Sequence, residues 1–328
     1  MKTFITGATG FIGGRLAIKL AGEGHQVNAL VREGACTDPL RHRNIQLIKG
    51  DLQDNAAIGR GMRGCQQVYH CAAYAKLWAK DRSLFYKVNL EGTNNILEEA
   101  GRHNIQKIVY TSSTAVLGQS GNHRPLTEKD PRIQPFQDDY DLSKQLAEQQ
   151  VKAYAKKGLC AVIVNPSRVY GPGSFSHSNV ICRMLFTALK GHRIFVPKAG
   201  NCVANYAFID DVVHGHRLAM EHGNSGQRYI LGGENISYDQ FLETVTGFTG
   251  KLNITKLPLI FMKICGAVQL IKASLTGSFP AYTPTTLGRY FIDSTYCSDK
   301  AMNELGYHIT PFAQGIEKTI YYLKTEIL

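Results

Sequence analysis

The sequence has no uninterrupted apolar run of the length a membrane span needs, no closely paired cysteines and no block of five like charges. Each absence excludes a class of protein. The eight cysteines are scattered from Cys36 to Cys297 without a CxxC or a second pair spaced for zinc, so neither a disulfide framework nor a structural zinc is expected. They read as reduced, mostly buried small apolar residues of a cytosolic protein. Glycine and proline number 32 and 11 in 328 residues, with 44% hydrophobic and 19% charged residues, which excludes collagen, coiled coil and general disorder. A chain of this length forms one large domain or two closely joined ones and buries well over half of its unfolded surface. The N-terminal MKTFITGATG enters a strand-like run within two residues, without the charged and apolar regions of a signal peptide. The mature chain is therefore expected to start at Met1 and to be cytoplasmic.

Acidic residues are also scarce, 26 against 37 Lys and Arg, for a formal charge of +11. Because the basic residues are dispersed, a phosphate-rich cofactor or an acyl-phosphate-like substrate plus a generally basic surface is the preferred reading over nucleic acid. One stretch, 257–275, invites a membrane reading but is broken by Pro258, Lys263, Gly266, Gln269 and Lys272. It reads first as a buried or groove-lining helix. The alternative is a surface helix that makes weak lipid contact or admits an apolar substrate.

In the first half, strand-like segments 3–6, 27–31, 45–49, 68–72, 108–111 and 161–165 alternate with helical ones at 11–21, 88–100 and 142–156. That rhythm calls for an α/β fold with a doubly wound parallel sheet covered on both faces. Past Pro166 it breaks into Gly/Pro-punctuated segments, with a strand at 228–231 and helices at 238–249 and 314–324. These suggest a smaller mixed α/β C-terminal substrate lobe. The division expected is 1–165 for cofactor binding and 166–328 for substrate, with about 204–230 returning to the first unit.

The first strand runs into Gly7-Ala8-Thr9-Gly10-Phe11-Ile12-Gly13, a GxxGxxG turn opening a helix. Glycines there allow a tight turn and let a pyrophosphate approach the free N–H groups of the helix N-terminus. The second strand ends at Val31-Arg32, where selection of NAD would place an Asp or Glu against the ribose 2′-hydroxyl; the arginine suits a 2′-phosphate better. Arg15 is a candidate helper without a signal of its own. Asp51 ends the third strand, and His70-Cys71-Ala72-Ala73 ends the fourth in small residues that let a cofactor lie across the strand ends. His70, in an apolar run, reads as a core histidine. The constellation that carries most chemistry is Tyr140-Asp141-Leu142-Ser143-Lys144 downstream of Tyr110-Thr111-Ser112-Ser113. An i, i+4 pair sets phenol and ammonium on one helix face, where the cation is expected to lower the phenol pKa toward neutrality. Such a tyrosine trades a proton with a carbonyl or alcohol, and Ser113 can hydrogen-bond the same oxygen.

Taken in order, GATGFIG, HCAA, VNLEGTNNIL, YTSSTAVLG, YDLSK, NPSRVYGPG and FIDDVV resemble the extended short-chain dehydrogenases/reductases over essentially the whole chain. The ALVR strand end, the Leu77-Trp78 loop, residues 229–235 and the terminal ELGY…P…GI pattern resemble the dihydroflavonol-4-reductase-like branch, which overlaps with 3β-hydroxysteroid dehydrogenase-like proteins. The resemblance implies a Rossmann-type sheet and, residue by residue, Tyr140 as acid/base, Lys144 as its modulator and ribose ligand, and Ser113 as the carbonyl-positioning hydroxyl. Gly7, Thr9, Gly10, Phe11, Ile12 and Gly13 would embrace the pyrophosphate and Arg32 the 2′-phosphate. Asp51 and Leu52 would meet the adenine end, Ala72 and Ala73 the ribose and nicotinamide side, and Pro166 and Ser167 the nicotinamide. Asn89 would more commonly brace the sheet. The usual VYG reads Val116-Leu117-Gly118 here, so an aromatic is missing and the substrate is left open; Tyr74, Trp78, Tyr170, His177 and Phe208 are pocket candidates. The expected activity is an NADP(H)-preferring oxidoreductase that moves hydride between nicotinamide and a carbonyl or secondary alcohol, with no metal. The alternatives are a nucleotide-sugar epimerase or dehydratase that retains its cofactor, or a non-catalytic NADP-sensing protein. By analogy a homodimer would pair through the helix that carries Tyr140.

Overall fold

The computed structural model describes residues 1–76, 78–121, 124–173, 175, 179–198, 202–250, 253–280 and 282–328. The chain runs β1 (Lys2–Thr6), α1 (Phe11–Gly22), β2 (Gln26–Val31), β3 (Ile45–Lys49), α2 (Asn55–Met62), β4 (Gln67–His70), α3 (Ser83–Tyr86), α4 (Gly92–Arg102), β5 (Lys107–Thr111), α5 (Asp139–Lys156) and β6 (Ala161–Pro166). It continues through β7 (Arg168–Tyr170), α6 (Val180–Leu189), β8 (Ile194–Pro197), β9 (Val203–Phe208), α7 (Ile209–His222), β10 (Arg228–Leu231), β11 (Glu234–Ser237) and α8 (Tyr238–Thr249). It ends with β12 (Ile254–Leu257), α9 (Leu259–Thr276), α10 (Pro284–Gly288), α11 (Asp299–Leu305) and α12 (Phe312–Tyr322).

Seven parallel strands form one sheet in the order β10-β6-β5-β4-β1-β2-β3. Its strands are apolar on both faces because each face is covered, and alternation divides their side chains between two layers. Phe4, Val68, Ile108, Tyr110 and Ile163 join α2, α4 and α5 in one core. Ile5, Tyr69, Val109, Val162 and Val164 join α1, α7 and α11 in the other. Each fully buried large side chain stabilises the fold by roughly 1.5–3 kcal/mol.

The strand order reverses between β1 and β4, since the chain winds outward to β3 and then crosses back to the other side of β1. A crevice opens there beyond the strand ends, which is where doubly wound sheets take ligands. The later segments build two small sheets, β11-β9-β7 and β12-β8. Between them the chain revisits the large sheet, with Arg228 beside Ile163 and Leu231 beside Pro166 as β10 closes its edge.

One expectation fails. The reading of 257–275 as a buried helix does not hold: only 17% of α9 is buried. Met262, Gly266 and Ala273 face the protein, with Gly266 set against Pro284 and Tyr282 at the start of α10.

Candidate active site

The Gly-rich turn is shaped by what has no room for a side chain. Gly7 takes φ +74°, and a Cβ there would lie 2.6 Å from the Ala72 amide nitrogen; at Gly13 a Cβ would fall 2.3 Å from the Gly7 carbonyl oxygen. The turn and the end of β4 are thereby pressed together at the strand-order reversal. Gly10 enters α1 in extended geometry with no side-chain cap, and its own N–H donates to the Gly7 carbonyl at 2.9 Å. The first N–H groups of α1 have no side chain to satisfy them, which leaves an anion-binding helix start with a positive dipole end. Thr9 and Gly10 are exposed beside it, while Phe11 is buried and Ile12 half-buried. The cradle fits a dinucleotide pyrophosphate. On the far side of the crevice Pro166 ends β6, and the Ser167 hydroxyl is buried with no hydrogen-bond partner, an orphan that a ligand amide would satisfy.

Arg32 projects at the end of β2, exposed. Arg15 is no helper to it: its guanidinium meets Asp210 at 2.9 and 3.3 Å. A cation the sequence reading missed stands near Arg32 instead. Lys76 feels the Arg32 charge, and burial first and that charge second pull its pKa down. Asp51 is exposed after β3 with its carboxylate accepting from the Gln53 amide at 2.7 Å. Leu52 is core, packed so closely on α4 that a Cβ on Gly92 would lie 2.8 Å away.

Ser113, Tyr140 and Lys144 meet at the ends of β5 and β6. Asp138 caps α5 by accepting from the Asp141 amide at 2.9 Å, so the helix starts early enough to carry Tyr140 in its first turn. The Ser113 hydroxyl accepts from the Ala115 amide at 3.1 Å and lies near enough to the Tyr140 phenol to pull its pKa down. Lys144 is 1% exposed; its Nζ donates to the Thr111 carbonyl at 2.7 Å and lies 4.2 Å from the Tyr110 ring centroid. Here the expectation of a lowered tyrosine pKa is overturned. Burial pushes the Tyr140 phenol up to about 12, outweighing the downward pull of Ser113. Lys144 is itself pushed down to about 7 by burial, against the opposing pull of Glu148. Burial dominates at both groups, and the cation that pulls the half-buried phenol down is Arg289, the smallest of its influences, not Lys144.

Two buried histidines are structural. The His216 Nδ1 meets the Val212 carbonyl at 2.7 Å, so that nitrogen carries the proton and Nε2 accepts from the Thr111 hydroxyl at 2.8 Å. For His70 the chain of donors is likewise consistent. The Thr93 hydroxyl donates to the Asn89 carbonyl at 2.6 Å and accepts from Nε2, and the Thr6 hydroxyl donates to Nδ1 at 2.7 Å. Burial pushes His70 to about 3 and His216 to about 4. Asn89 braces: its side chain accepts from the Tyr74 amide at 2.7 Å and donates to the Ser143 hydroxyl at 2.9 Å, linking the segment after β4 to α5.

The pocket candidates divide. Tyr74 and Trp78 are half-buried after β4, the Tyr74 hydroxyl donating to the Trp78 carbonyl at 3.3 Å. Tyr170 and Phe208 are 0% and 1% exposed, and the Tyr170 ring meets those of Phe208 and Phe312 at tilted angles; they are core residues, a correction to their place as pocket candidates. His177 and Leu77 lie outside the described residues. Leu117, where the resemblance places an aromatic, is buried with Val116, Ile230 and Tyr296.

Sequence reasoning missed the buried polar frame behind the site. Asn165 donates to the Ser113 carbonyl at 3.0 Å and to Glu148 at 2.6 Å, and Glu148 takes Arg228 at 2.6 Å. Glu148 was findable, four residues after Lys144 on the same helix face. Arg289 was not: it comes from far along the chain to hold Asp138 at 2.7 Å and Asp141 at 3.0 Å.

The NAD dependent epimerase/dehydratase family matches residues 3–232. A Synechocystis protein with the provisional name dihydroflavonol 4-reductase is 34% identical over 98% of this chain and 94% of its own. A Stigmatella aurantiaca ketoreductase of a 4-farnesyl-dihydroquinoline-1-oxide is 30% identical over 94% of this chain and 92% of its own. The crystal structure of gox2253 is 33% identical and superposes with a TM-score of 0.81, covering 99% and 98% of the two chains. Its strand order, its glycine cradle and these likenesses place the chain in the NAD-dependent epimerase/dehydratase family, as an extended short-chain dehydrogenase/reductase that binds a nicotinamide cofactor.

Proposed function

We propose that this protein is an NADPH-dependent reductase of a ketone or aldehyde on a small organic substrate. The observation that carries the reading is the Ser113 hydroxyl beside the Tyr140 phenol at the end of β5, with Lys144 one turn further along α5 and its buried ammonium on the Thr111 carbonyl. A bound nicotinamide supplies or takes up the hydride. The residues do the rest: Ser113 holds the carbonyl oxygen, and Tyr140 gives its proton to the oxygen as negative charge develops there. A phenol held near pKa 12 is fully protonated at neutral pH, the state that a proton donor for reduction needs. Lys144, whose ammonium donates to the Thr111 carbonyl, would hold the ribose of the cofactor and supply a cation on the phenol's side of α5. Arg32, with no carboxylate in its place at the end of β2, favours a 2′-phosphate. The ketoreductase and dihydroflavonol reductase names of the relatives support reduction of a ring-bearing ketone.

The test is cofactor titration followed by a panel of ketones, aldehydes, steroids and sugar nucleotides with absorbance of the reduced cofactor as readout. A charge-assisted contact worth ~1.5–3 kcal/mol should make NADPH bind roughly 10- to 150-fold tighter than NADH. Arg32→Asp should remove that preference. Equal affinities in the wild type, or turnover of a sugar nucleotide without net change in cofactor, would overturn the reading.

A further inference from the structure

The face of α9 turned away from the protein is apolar, and its edges are basic. At 3.6 residues per turn the buried Met262, Gly266 and Ala273 fall within one narrow sector. Ile260, Phe261, Ile264, Val268, Ile271 and Leu275 fall in the sector about 180° away, each between 52% and 78% exposed. Lys263 and Lys272, both exposed, lie at the two borders of that sector, about 80–100° from its centre. This is the cross-section of a helix lying flat in a lipid interface, with long cationic side chains reaching sideways to headgroups. The charge of the region points to an anionic surface. From residue 244 to 292 there is no Asp or Glu, while Lys251, Lys263 and Lys272 are present; Lys256 is paired with Asp239 and Arg289 with Asp138 and Asp141.

We propose that α9 docks this protein on an anionic lipid bilayer, lying in the plane of the interface with its Ile/Leu/Val/Phe stripe among the acyl chains. At 18 residues α9 is long and apolar enough to cross a bilayer, but a span would have to strip its inward face from the protein. That inward face is committed to the protein, since a Cβ on Gly266 would already lie 3.3 Å from Pro284. A second copy of the chain is a poor occupant, because two acid-free basic faces would meet. The docking face also adjoins the crevice. Phe279, just past the end of α9, meets the Trp78 ring edge to face at 6.2 Å and has the Lys76 ammonium 3.9 Å from its centroid, and both partners belong to the segment after β4.

The experiment is co-sedimentation of the full chain with vesicles of phosphatidylcholine alone or with about one-third phosphatidylglycerol, near physiological salt. Wild type should pellet with the mixed vesicles and stay largely in solution with phosphatidylcholine. Ile264→Glu/Ile271→Glu, at exposed positions, should weaken partitioning at least roughly tenfold while leaving circular dichroism and NADPH affinity unchanged. Lys263→Glu/Lys272→Glu should abolish the preference for the anionic lipid. Three results would overturn the proposal: no pelleting of wild type with mixed vesicles, pelleting of the Ile264/Ile271 variant as strong as wild type, or a wild-type dimer in gel filtration that this variant dissolves. The second assigns binding to general charge, and the third makes a second copy the occupant.

Discussion

Tyr140 is the residue on which the proposed chemistry rests, and deleting one oxygen tests it. Tyr140→Phe keeps the ring and the helix but removes the proton donor beside Ser113, so turnover should fall by about 10²–10⁴. NADPH binding should persist, because the pyrophosphate cradle lies at Gly7–Gly13. Lys144→Met should impair both. Stopped-flow turnover and fluorescence titration check the pair; near-wild-type turnover of Tyr140→Phe, or loss of cofactor binding with it, removes the role. At this scale the spacing of Tyr140 and Lys144 and the strand-end position of Ser113 were legible, because one helical turn brings i and i+4 together whatever the rest of the fold. The electrostatics were not. Whether a cation lowers a neighbouring phenol depends on burial, and the surroundings that bury Lys144, the end of β5 and Cys71 after β4, come from segments the local sequence does not show. Asn165 and Arg289 escaped for the same reason, each reaching its partner across long stretches of chain.

Among the elements, the α1 turn is the least tolerant of change. Gly13→Ala would put its methyl 2.3 Å from the Gly7 carbonyl, forcing the turn open, and NADPH affinity should drop at least roughly tenfold. Gly101→Ala is the counterpart, since nothing lies within 4 Å of its Cβ position in α4; a helical glycine so placed should gain about 0.5–1 kcal/mol when replaced. Calorimetry and cofactor titration on the two variants check both directions, and unchanged affinity in Gly13→Ala removes the cradle argument. Elements with clear periodicity were found at or near their true bounds: β3, β10 and α8 where expected, α5 three residues earlier than expected because Asp138 caps it. Helix α2 was invisible from sequence, with Gly59 and Gly61 inside it; Gly61 is there because a Cβ would lie 2.3 Å from the Phe4 ring, a packing demand that outranks propensity.

For the whole molecule, stability should fall as the medium turns acid. His70 and His216 have pKa values depressed to about 3 and 4 against ~6.5 unfolded. Their contribution is complete above pH 6.5 and is lost as pH falls below it, because the unfolded chain takes up the protons first. Asp141, raised to about 6 by burial, acts in the opposite sense, since its folded form binds a proton between ~4 and 6. His25 is lowered too, adding to the histidine side, and Asp211 is raised by burial, adding to the carboxyl side; the large histidine shifts leave a net loss of stability between pH 6.5 and 5. Urea unfolding at both values measures it, and a flat profile would show that the histidines are not neutral in the fold. At this scale the doubly wound sheet was legible from the βαβ rhythm; of the stretch 204–230 expected to return to the first unit, β10 joins the large sheet at its end while β9 pairs in a small one; the partners of β7, β8, β9 and β12 were not legible, since three- to six-residue strands without regular alternation do not name their neighbours. The sheet order has a consequence for synthesis. β6 is complete at Pro166, yet the strand that covers its outer edge ends at Leu231, about 65 residues later. At 5–20 residues per second the growing chain spends roughly 3–13 s on the ribosome with that apolar edge bare, a window in which a chaperone, or a neighbouring nascent chain, has first access to β6.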